Sequence, residues 1–343
     1  MNLPPKGKLF SVGDYGSYRR GVDISEERIA PVLNNIQGVI HIACGWYHNL
    51  LYTIDNVWWG FGENSRGQLD MRHNSMTRPK QLTFWKDIQP LWFSCSDAFT
   101  VVIAQDQKLY ACGDSKPSQL TEIGNIPDPV VFCDCGADTI VVLPKGNGLY
   151  FFPPKSSKPQ FLNPDKYFID CAACSRSITA LDSCGIVWIS ESNSDMVLSP
   201  VSNLSQITSL FSFSTGVFAV SSSHLYYKGS NYNGMGGVDS DSKEFVIVPL
   251  PFTEPILKIC GSNSQSFIIT SNYKVYSAGS SSYGLLMRCG NSSFRQIDPF
   301  KDQSITCMGS GLFHAVLYVN GPVTGLSNIK KTADNFKKLH LYE

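Results

Sequence analysis

Two histidines at matching places in the sequence are the residues best suited to acid–base chemistry. His48 ends the run Cys44-Gly45-Trp46-Tyr47-His48, and His314 ends the run Ser310-Gly311-Leu312-Phe313-His314. A general base is usually oriented by a carboxylate or placed beside a nucleophile. Neither kind of residue stands at a fixed offset from these histidines. We therefore expect each ring to bond a neighbouring strand, and we predict no catalytic residue in this chain.

Cysteines in two places have spacings that resemble those of metal ligands. Cys171 and Cys174 form a Cys-x-x-Cys pair that Cys184 follows, and Cys133 and Cys135 are separated by one residue. A structural zinc site needs four ligands, commonly two such pairs. No second Cys-x-x-Cys and no paired histidine completes a set. We predict that these side chains fill small buried spaces on strands and that the protein holds no metal.

Motifs of the common enzyme classes are missing from the sequence. There is no Gly-x-Ser-x-Gly elbow, no Walker loop and no dinucleotide fingerprint. We therefore predict a protein that is not an enzyme and that binds no cofactor.

Composition and charge exclude further classes of function. The 343 residues include 28 Lys plus Arg and 28 Asp plus Glu, which gives a formal net charge of zero. This balance argues against a globally basic nucleic-acid binder and against an acidic solvating tail. Hydrophobic residues make up 43% of the chain, which is enough for a sizeable core.

The sequence favours a cytoplasmic or nuclear protein that does not contact a membrane. Its first ten residues lack the apolar run of a secretory signal. The longest uncharged stretch, Val197 to Tyr227, contains too many polar residues to span a bilayer. An odd number of cysteines, eleven, then indicates reduced thiols and not a disulfide framework.

A repeat positions these residues, and its first element is a short strand whose second residue is aromatic. It occurs seven times, with starts 38 to 51 residues apart. The seven copies begin at Leu9, Trp58, Leu109, Leu149, Val187, Leu225 and Val275. We expect the aromatic residue of each copy to supply large buried area between adjacent sheets.

The second element of the repeat is a hairpin that carries a small residue at a fixed place. Its best version is Ile40 to Leu51, and the small residue is Cys44. The equivalent residues in the other copies are Cys95, Cys135, Ala173, Ser212, Gly261 and Ser310. A large side chain at that place would overpack an axis on which the backbones of all repeats converge.

These two elements predict an all-β fold, a seven-bladed β-propeller, because no unit of two to four strands can bury its own faces. The chain opens with the aromatic strand and ends with the hairpin. We therefore predict that the ring is closed by Leu9–Gly13 pairing with His314–Val319. Residues 1–326 would form a single propeller, and 327–343 a basic tail that is either a short helix or disordered.

The best-kept repeat resembles that of the RCC1 family (regulator of chromosome condensation), in divergent, free-standing form. The resemblance rests on Cys44 to His48 followed by Trp58 to Leu69, and more weakly on Gly229 to Gly236 and Gly279 to Gly284. We assign the following residues to the framework of the repeat: Cys44, Gly45, His48, Trp59, Gly62, Gly67, Tyr226, Gly229, Gly234, Tyr276, Gly279 and His314.

The resemblance implies a protein-binding platform. The founding member of the family is a nucleotide-exchange factor for the small GTPase Ran, and it uses a wedge-like insertion in one blade and a basic N-terminal tail that docks on chromatin. Here the third and fourth units are the short ones, and few residues precede the first strand. The leading hypothesis is a non-catalytic adaptor or regulatory subunit. The alternatives are exchange on a small GTPase and, less favoured, direct RNA binding.

Size and domain content also resemble one fungal member of the family. That member partners a small metalloprotein of diphthamide synthesis and supports Elongator-dependent tRNA modification. We expect a single propeller that binds a protein partner through one rim, as part of a hetero-complex. The candidate partner-binding residues are Trp46, Tyr47, Arg66, Arg72, Arg78, Tyr232 and Tyr283. Arg19 and Arg20 lie in the equivalent loop of the first unit, and we expect them beside the basic residues of the second.

Overall fold

A computed structural model describes most of the chain between residues 7 and 320. The described residues are 7–14, 16, 19–22, 29–32, 36–69, 74–114, 116–117, 119–175, 177–190, 196–213, 215–288, 292–300 and 302–320. The predicted tail, 327–343, lies outside them. No helix within these ranges is long and apolar enough to cross a membrane.

The described strands form seven antiparallel sheets of four strands, which confirms the predicted all-β propeller. The first strand of each sheet packs against the first strand of the next, so these strands surround the axis. In chain-order numbering they are β3 (Val39–Cys44), β7 (Pro90–Cys95), β11 (Val130–Cys135), β15 (Phe168–Ala173), β19 (Ile207–Phe213), β23 (Ile256–Gly261) and β27 (Ser304–Ser310).

The second and third strands carry most of the buried side chains. The second strands are β4 (His48–Thr53), β8 (Phe99–Ala104), β12 (Ile140–Pro144), β16 (Ile178–Asp182), β20 (Gly216–Ser221), β24 (Gln265–Thr270) and β28 (His314–Asn320). The third strands are β5 (Trp58–Gly62), β9 (Leu109–Gly113), β13 (Leu149–Phe152), β17 (Val187–Ile189), β21 (Leu225–Gly229), β25 (Val275–Gly279) and β1 (Lys8–Gly13).

The fourth strands form the outer edge of the disc and differ most in length. They are β6 (Met76–Gln81), β10 (Thr121–Glu122), β14 (Gln160–Leu162), β18 (Ser199–Pro200), β22 (Ser242–Ile247), β26 (Arg295–Gln296) and β2 (Ile29–Pro31). Two single turns of 3-10 helix occur at Thr83–Trp85 and Ser282–Gly284. We number the blades I (β3–β6), II (β7–β10), III (β11–β14), IV (β15–β18), V (β19–β22), VI (β23–β26) and VII (β27, β28, β1, β2).

Blade VII is built from both ends of the described chain, as the order of elements in the repeat predicts. Strand β1 pairs with β28, and the register places Leu9 opposite Tyr318 and Gly13 opposite His314. The Tyr318 hydroxyl accepts hydrogen bonds from the backbone N–H of Gly7 (3.2 Å) and of Gly38 (3.0 Å). These hydrogen bonds attach the residue before β1 and the residue before β3 to the last strand, β28.

The third strand buries the residue before its aromatic position more completely than the aromatic residue itself. In all seven blades that preceding residue, which begins the repeat element, is buried, whereas the aromatic position is only partly buried in five of them. The expectation that the aromatic residue carries the buried area between sheets is thus met only in part. The aromatic rings instead meet partners at the periphery, as when Tyr150 packs on Phe161 and Tyr276 on Phe252.

Small residues near the axis are required by close backbone contact. A Cβ atom built on Gly45 would lie 2.2 Å from the carbonyl oxygen of Ser96 in blade II. One built on Gly311 would lie 2.2 Å from the carbonyl oxygen of Gly45 in blade I. A side chain at either glycine would push two blades apart, which explains the glycine in these two hairpins.

Alternating strand direction places the connections on two rims. The upper rim carries the turns between first and second strands and the loops between third and fourth strands. The lower rim carries the other two kinds of connection. Upper loops are long in blades V, VI, VII and I, which we call the long-loop sector, and short in blades II, III and IV, the short-loop sector.

Candidate interaction surface

His48 joins blade I to blade II beneath the upper rim. Its Nε2 lies 3.1 Å from the Thr100 hydroxyl, and that hydroxyl donates to the carbonyl of Gln68 at 2.8 Å. His48 must therefore be the donor in the first bond, which places its proton on Nε2. Burial lowers the pKa of His48 to about 3, so the ring is neutral at physiological pH.

His314 makes the equivalent bond across the closure. Its Nε2 donates to the Asn49 side-chain oxygen at 2.7 Å, because the Asn49 amide nitrogen is itself donating, at 2.7 Å, to the carbonyl of Arg19. Burial holds the pKa of His314 well below its usual range, and the nearby Arg19 charge lowers it further. Both histidines are thus surrounded by framework groups.

The upper loops of blades I and V share one internal design. In blade I the Asn64 side-chain oxygen accepts the N–H of Leu69 (2.9 Å), and in blade V the Asn231 oxygen accepts the N–H of Gly236 (2.7 Å). Gly67 and Gly234 occupy the same place in each loop with φ of 75°, a left-handed conformation that favours glycine. These loops are therefore held in defined shapes on the rim.

Four residues from three blades form a continuous cluster on the upper rim, which we call the aromatic–arginine cluster. The Arg19 guanidinium lies 4.6 Å from the ring centroid of Tyr47 and 5.9 Å from that of Phe313. The Phe313 ring lies 5.9 Å from that of Tyr283. Trp46 extends the cluster, because its ring meets Tyr47 edge-on at 6.3 Å.

Arg19 is the buried centre of this cluster. Its Nη2 pairs with the Asp14 carboxylate at 3.2 Å, and its Nε donates to the carbonyl of Gly16 at 2.6 Å. Burial lowers the pKa of the guanidinium, and the Asp14 carboxylate opposes that change. A cation held between two aromatic faces is a favourable cation–π arrangement, and it fixes the rings in place.

Tyr283 is presented to solvent by a strained backbone. Its φ is 56°, in the left-handed region that non-glycine residues rarely adopt. Its side chain is nevertheless 54% exposed, so the conformation is not maintained by burying the ring. Strain of this kind persists where the surrounding structure imposes it, often at binding sites.

Comparison with known proteins identifies the architecture. The model of the regulator of chromosome condensation (RCC1) repeat matches residues 39–68, which span most of blade I. Human WBSCR16 superposes with a TM-score of 0.77 at 16% identity, covering 92% of this chain and 99% of that protein. Prp20p of Saccharomyces cerevisiae superposes with 0.76 at 14% identity, covering 98% and 96%. This protein is an RCC1-like seven-bladed propeller.

Sequence relatives align with only part of the RCC1-like propeller. Human HERC6, a probable E3 ubiquitin-protein ligase, is 26% identical over 137 residues, which are 38% of this chain and 13% of HERC6. The chain thus spans a small part of that relative's length.

Five of the predicted partner-binding residues lie on the upper rim of the RCC1-like propeller. Trp46 and Tyr47 are half-buried in the turn after β3, and Tyr283 joins them in the cluster through Arg19 and Phe313. Tyr232 stands alone at 89% exposure in the blade V loop. The fifth of these residues, Arg66, is exposed on the blade I loop.

The described basic residues singled out in the sequence do not all face solvent. Arg66 pairs with Asp114 of blade II at 3.0 Å, which offsets its charge. Arg78 lies in the outer strand β6, and its side chain is exposed. Arg72 lies outside the described residues. Arg19 and Arg20 are buried, so the expected pair of adjacent exposed basic clusters is wrong: their side chains point into the fold.

The upper turns of blades II and III carry acidic residues, whereas those of blades I and VII carry aromatic ones. Asp97 lies in the upper turn of blade II and Asp138 in that of blade III. Burial raises the pKa of Asp97 to about 8, and the Asp138 charge adds to that change. The upper rim therefore has an aromatic–arginine side and an acidic side.

The cysteines singled out in the sequence differ in their exposure. Cys133, Cys171 and Cys174 are buried, and Cys184 is exposed in a lower-rim turn. The Cys174 thiol donates to the carbonyl of Gly216 at 3.2 Å, and burial raises its pKa to about 12. Within the described ranges, no group of three or more potential ligands is arranged to hold a metal ion.

Sequence reasoning missed two members of the cluster, Arg19 as a cation–π centre and Phe313. Phe313 follows Gly311 by two residues, as Tyr47 follows Gly45, so aligning the two hairpins would have revealed it. Arg19 had no such signal, because its place depends on how the loop after β1 folds over the neighbouring blade.

Proposed function

We propose that this RCC1-like propeller is a non-catalytic adaptor or regulatory subunit that binds a protein partner through the aromatic–arginine cluster. The observation that carries the proposal is the continuity of Tyr47, Arg19, Phe313 and Tyr283 across blades I, VII and VI. Tyrosine and arginine are enriched among residues that dominate binding energy at protein interfaces.

The physical case rests on preorganisation. Arg19 is already held by Asp14 and by two rings, so partner binding would not require these side chains to lose much freedom. Tyr283 already projects from the rim. Tyr232 adds an exposed ring in the adjacent blade V, which extends the proposed surface along the long-loop sector.

The finer form of the proposal concerns the complex and its place in the cell. The resemblance in size and domain content supports a partner from the diphthamide-synthesis and Elongator tRNA-modification machinery, with the complex in the cytoplasm or nucleus. Mass spectrometry of the recovered partner decides between this complex and another one.

The experiment is affinity purification from the native host with matched variants. Tyr47→Ala combined with Tyr283→Ala should lose a stoichiometric partner that the wild type recovers. The control is Tyr167→Ala, which removes an equally exposed tyrosine (49% against 54%) from the lower rim. Retention of the partner by the double variant, or its loss with the control, would contradict the proposal.

Exchange on a small GTPase is the second candidate, and the shared fold with Prp20p favours it. Prp20p is described with its binding to Gsp1p and to histones. Every sheet in the described part of this chain has four strands, without an added hairpin in any of them. Exchange predicts a GTPase that is recovered only without nucleotide and whose release of labelled GDP accelerates with the propeller. A partner retained in saturating GTP would argue against it.

A further inference from the structure

The outer strand β22 differs from the other outer strands in combining six residues without proline and an exposed apolar end. Five of the seven outer strands are two or three residues long. The other long one, β6, carries Pro79 and the exposed charged residues Arg78 and Lys80. Proline and lysine on an edge are common devices that prevent edge-to-edge pairing. In contrast, β22 contains no proline, and its exposed charged residues, Lys243 and Glu244, lie near its start, so that it ends in exposed Val246 and Ile247.

Backbone groups on the free side of β22 are available for hydrogen bonding. The strand is last in its sheet, next to β21. Val248 donates its N–H to the carbonyl of Leu225 at 2.8 Å, and Ile247 lies opposite Tyr226. Because bonded and non-bonded pairs alternate in antiparallel sheets, the N–H and C=O of Ile247 point away from β21. The Ile247 side chain is 55% exposed on the same strand.

A groove of about 330 Å³ lies beside this strand. Its lining comes from the blade V loop, from the end of β22 with Pro249, and from Ser292 and Ser293 of blade VI. Val238, Val246 and Ile247 supply apolar surface, and serine hydroxyls supply polar contacts. A groove that combines a free strand edge with side-chain pockets is the arrangement by which sheets recognise extended peptides.

The charge of the segment selects the kind of peptide. Asp239 is the one charged side chain among the described residues that line the groove. Between positions 237 and 247 there are three acidic residues, Asp239, Asp241 and Glu244, and one basic residue, Lys243. Three acidic residues and one basic residue give the segment 237–247 a net charge of −2, so a second copy of this segment would be repelled, whereas a lysine or arginine would be attracted.

We propose that β22 and its groove bind an extended peptide segment of a partner protein, which adds a fifth strand to blade V and places a basic side chain beside Asp239. The peptide backbone bonds the outward groups of Ile247, and alternate apolar side chains cover Val246 and Ile247. This surface lies on the outer edge of blade V and is separate from the aromatic–arginine cluster.

The test uses a displayed library of random twelve-residue peptides, selected on the full chain. Enriched peptides should share alternating apolar residues and a lysine or arginine. Ile247→Pro removes the outward N–H without touching the bond to β21, and should weaken the selected peptides at least tenfold. Ile247→Lys, a second variant at this exposed position, should weaken them as well. Asp239→Asn should reduce affinity severalfold and weaken its salt dependence.

Three results would overturn the proposal. One is a selection that enriches no peptide. Another is a set of selected peptides that bind Ile247→Pro as tightly as wild type, when Ile247→Pro and Ile247→Lys both unfold at the wild-type temperature. The third is concentration-dependent dimerisation that Ile247→Pro abolishes, which would assign the edge to a second copy of the chain. Tyr47→Ala with Tyr283→Ala should leave peptide binding unchanged, so failure here and failure of the adaptor proposal are distinguishable.

Discussion

The long-loop and short-loop sectors have the same strands beneath them and different chemistry on the upper rim. In blades I and VII the upper turns carry Tyr47 and Phe313 around Arg19. In blades II and III the corresponding turns carry Asp97 and Asp138. The loops between third and fourth strands occupy 230–241, 280–294, 14–28 and 63–75 in the first sector, and 114–120, 153–159 and 190–198 in the second.

The core does not follow this division. The second strands are almost wholly buried in both sectors, as β4 and β8 illustrate. At the place of His48, the short-loop sector has Phe99, Thr139 and Ser177. The strands fold without the histidine because apolar alternation and turn hydrogen bonds suffice. The residues characteristic of the RCC1 repeat therefore contribute more to hydrogen bonds between blades and to the shapes of the loops than to the folding of the strands.

The largest expected effect compares how much the buried core contributes to stability in the two sectors. Leu149 of blade III and Leu225 of blade V begin equivalent third strands, and both are fully buried. Truncation to alanine should lower the free energy of unfolding by about 2–5 kcal/mol in each case, because each leaves a cavity. Urea denaturation measures both, with exposed Val197→Ala as the control. A much smaller loss for Leu149→Ala would show a looser short-loop sector.

Acid sensitivity should come from the long-loop sector. The folded pKa of His48 is about 3, below its ordinary value of 6.5, because of burial. As pH falls, His48 is protonated in the unfolded chain near pH 6.5 but in the folded protein only near pH 3. The contribution of neutral His48 to the free energy of unfolding is therefore complete above pH 6.5 and is lost as pH falls toward 3. We expect a loss of about 2 kcal/mol by pH 5 from this residue.

His48→Gln should reduce this acid-induced loss. Glutamine already occupies the same place in blade VI, where Gln265 Nε2 donates to the Ser310 hydroxyl at 2.9 Å. Unfolding midpoints of wild type and variant at pH 7 and pH 5 measure the effect, and exposed His224→Gln is the control. Equal pH dependence in His48→Gln and wild type would refute the assignment.

Alkaline sensitivity should come from the short-loop sector. Burial and the Asp138 charge raise the folded pKa of Asp97 from 3.8 to about 8. The folded state thus holds a proton that the unfolded state has released, so stability falls as pH rises from about 4 through 8. Asp97→Asn should be more stable than wild type at pH 8.5, by on the order of 1–2 kcal/mol after solvent screening. Thermal unfolding at pH 5 and 8.5 tests this, and a variant without advantage at the higher pH would contradict it.

The smallest effect is expected where the two sectors meet. Arg66 and Asp114 form an exposed ion pair between blades I and II. Arg66→Ala should change the free energy of unfolding by less than about 1 kcal/mol, because exposed pairs are screened. The double variant with Asp114→Ala measures their coupling. A coupling free energy above about 2 kcal/mol would mean that this ion pair contributes substantially to the stability of the contact between the two sectors.

Periodic features of the protein were accessible from the sequence, and contacts between loops were not. The seven units, the closing pair Leu9–Gly13 with His314–Val319, and the small residues at the axis all repeat, so each copy reinforces the others. Tyr232 and Tyr283 were predicted from loop position. The burial of Arg19 and Arg20 was not, because each belongs to an upper loop whose path depends on two neighbouring blades.

The sequence by itself determined the all-β class, the number of blades and the way the ring closes, because these follow from residue periodicity along the chain. Only the tertiary structure decided that Arg19 lies between Tyr47 and Phe313, and that the exposed Val246 and Ile247 of β22 lie on a sheet edge. Such contacts join residues that are far apart in sequence. Their energies depend on which blades become neighbours, and that is established only when the ring is complete.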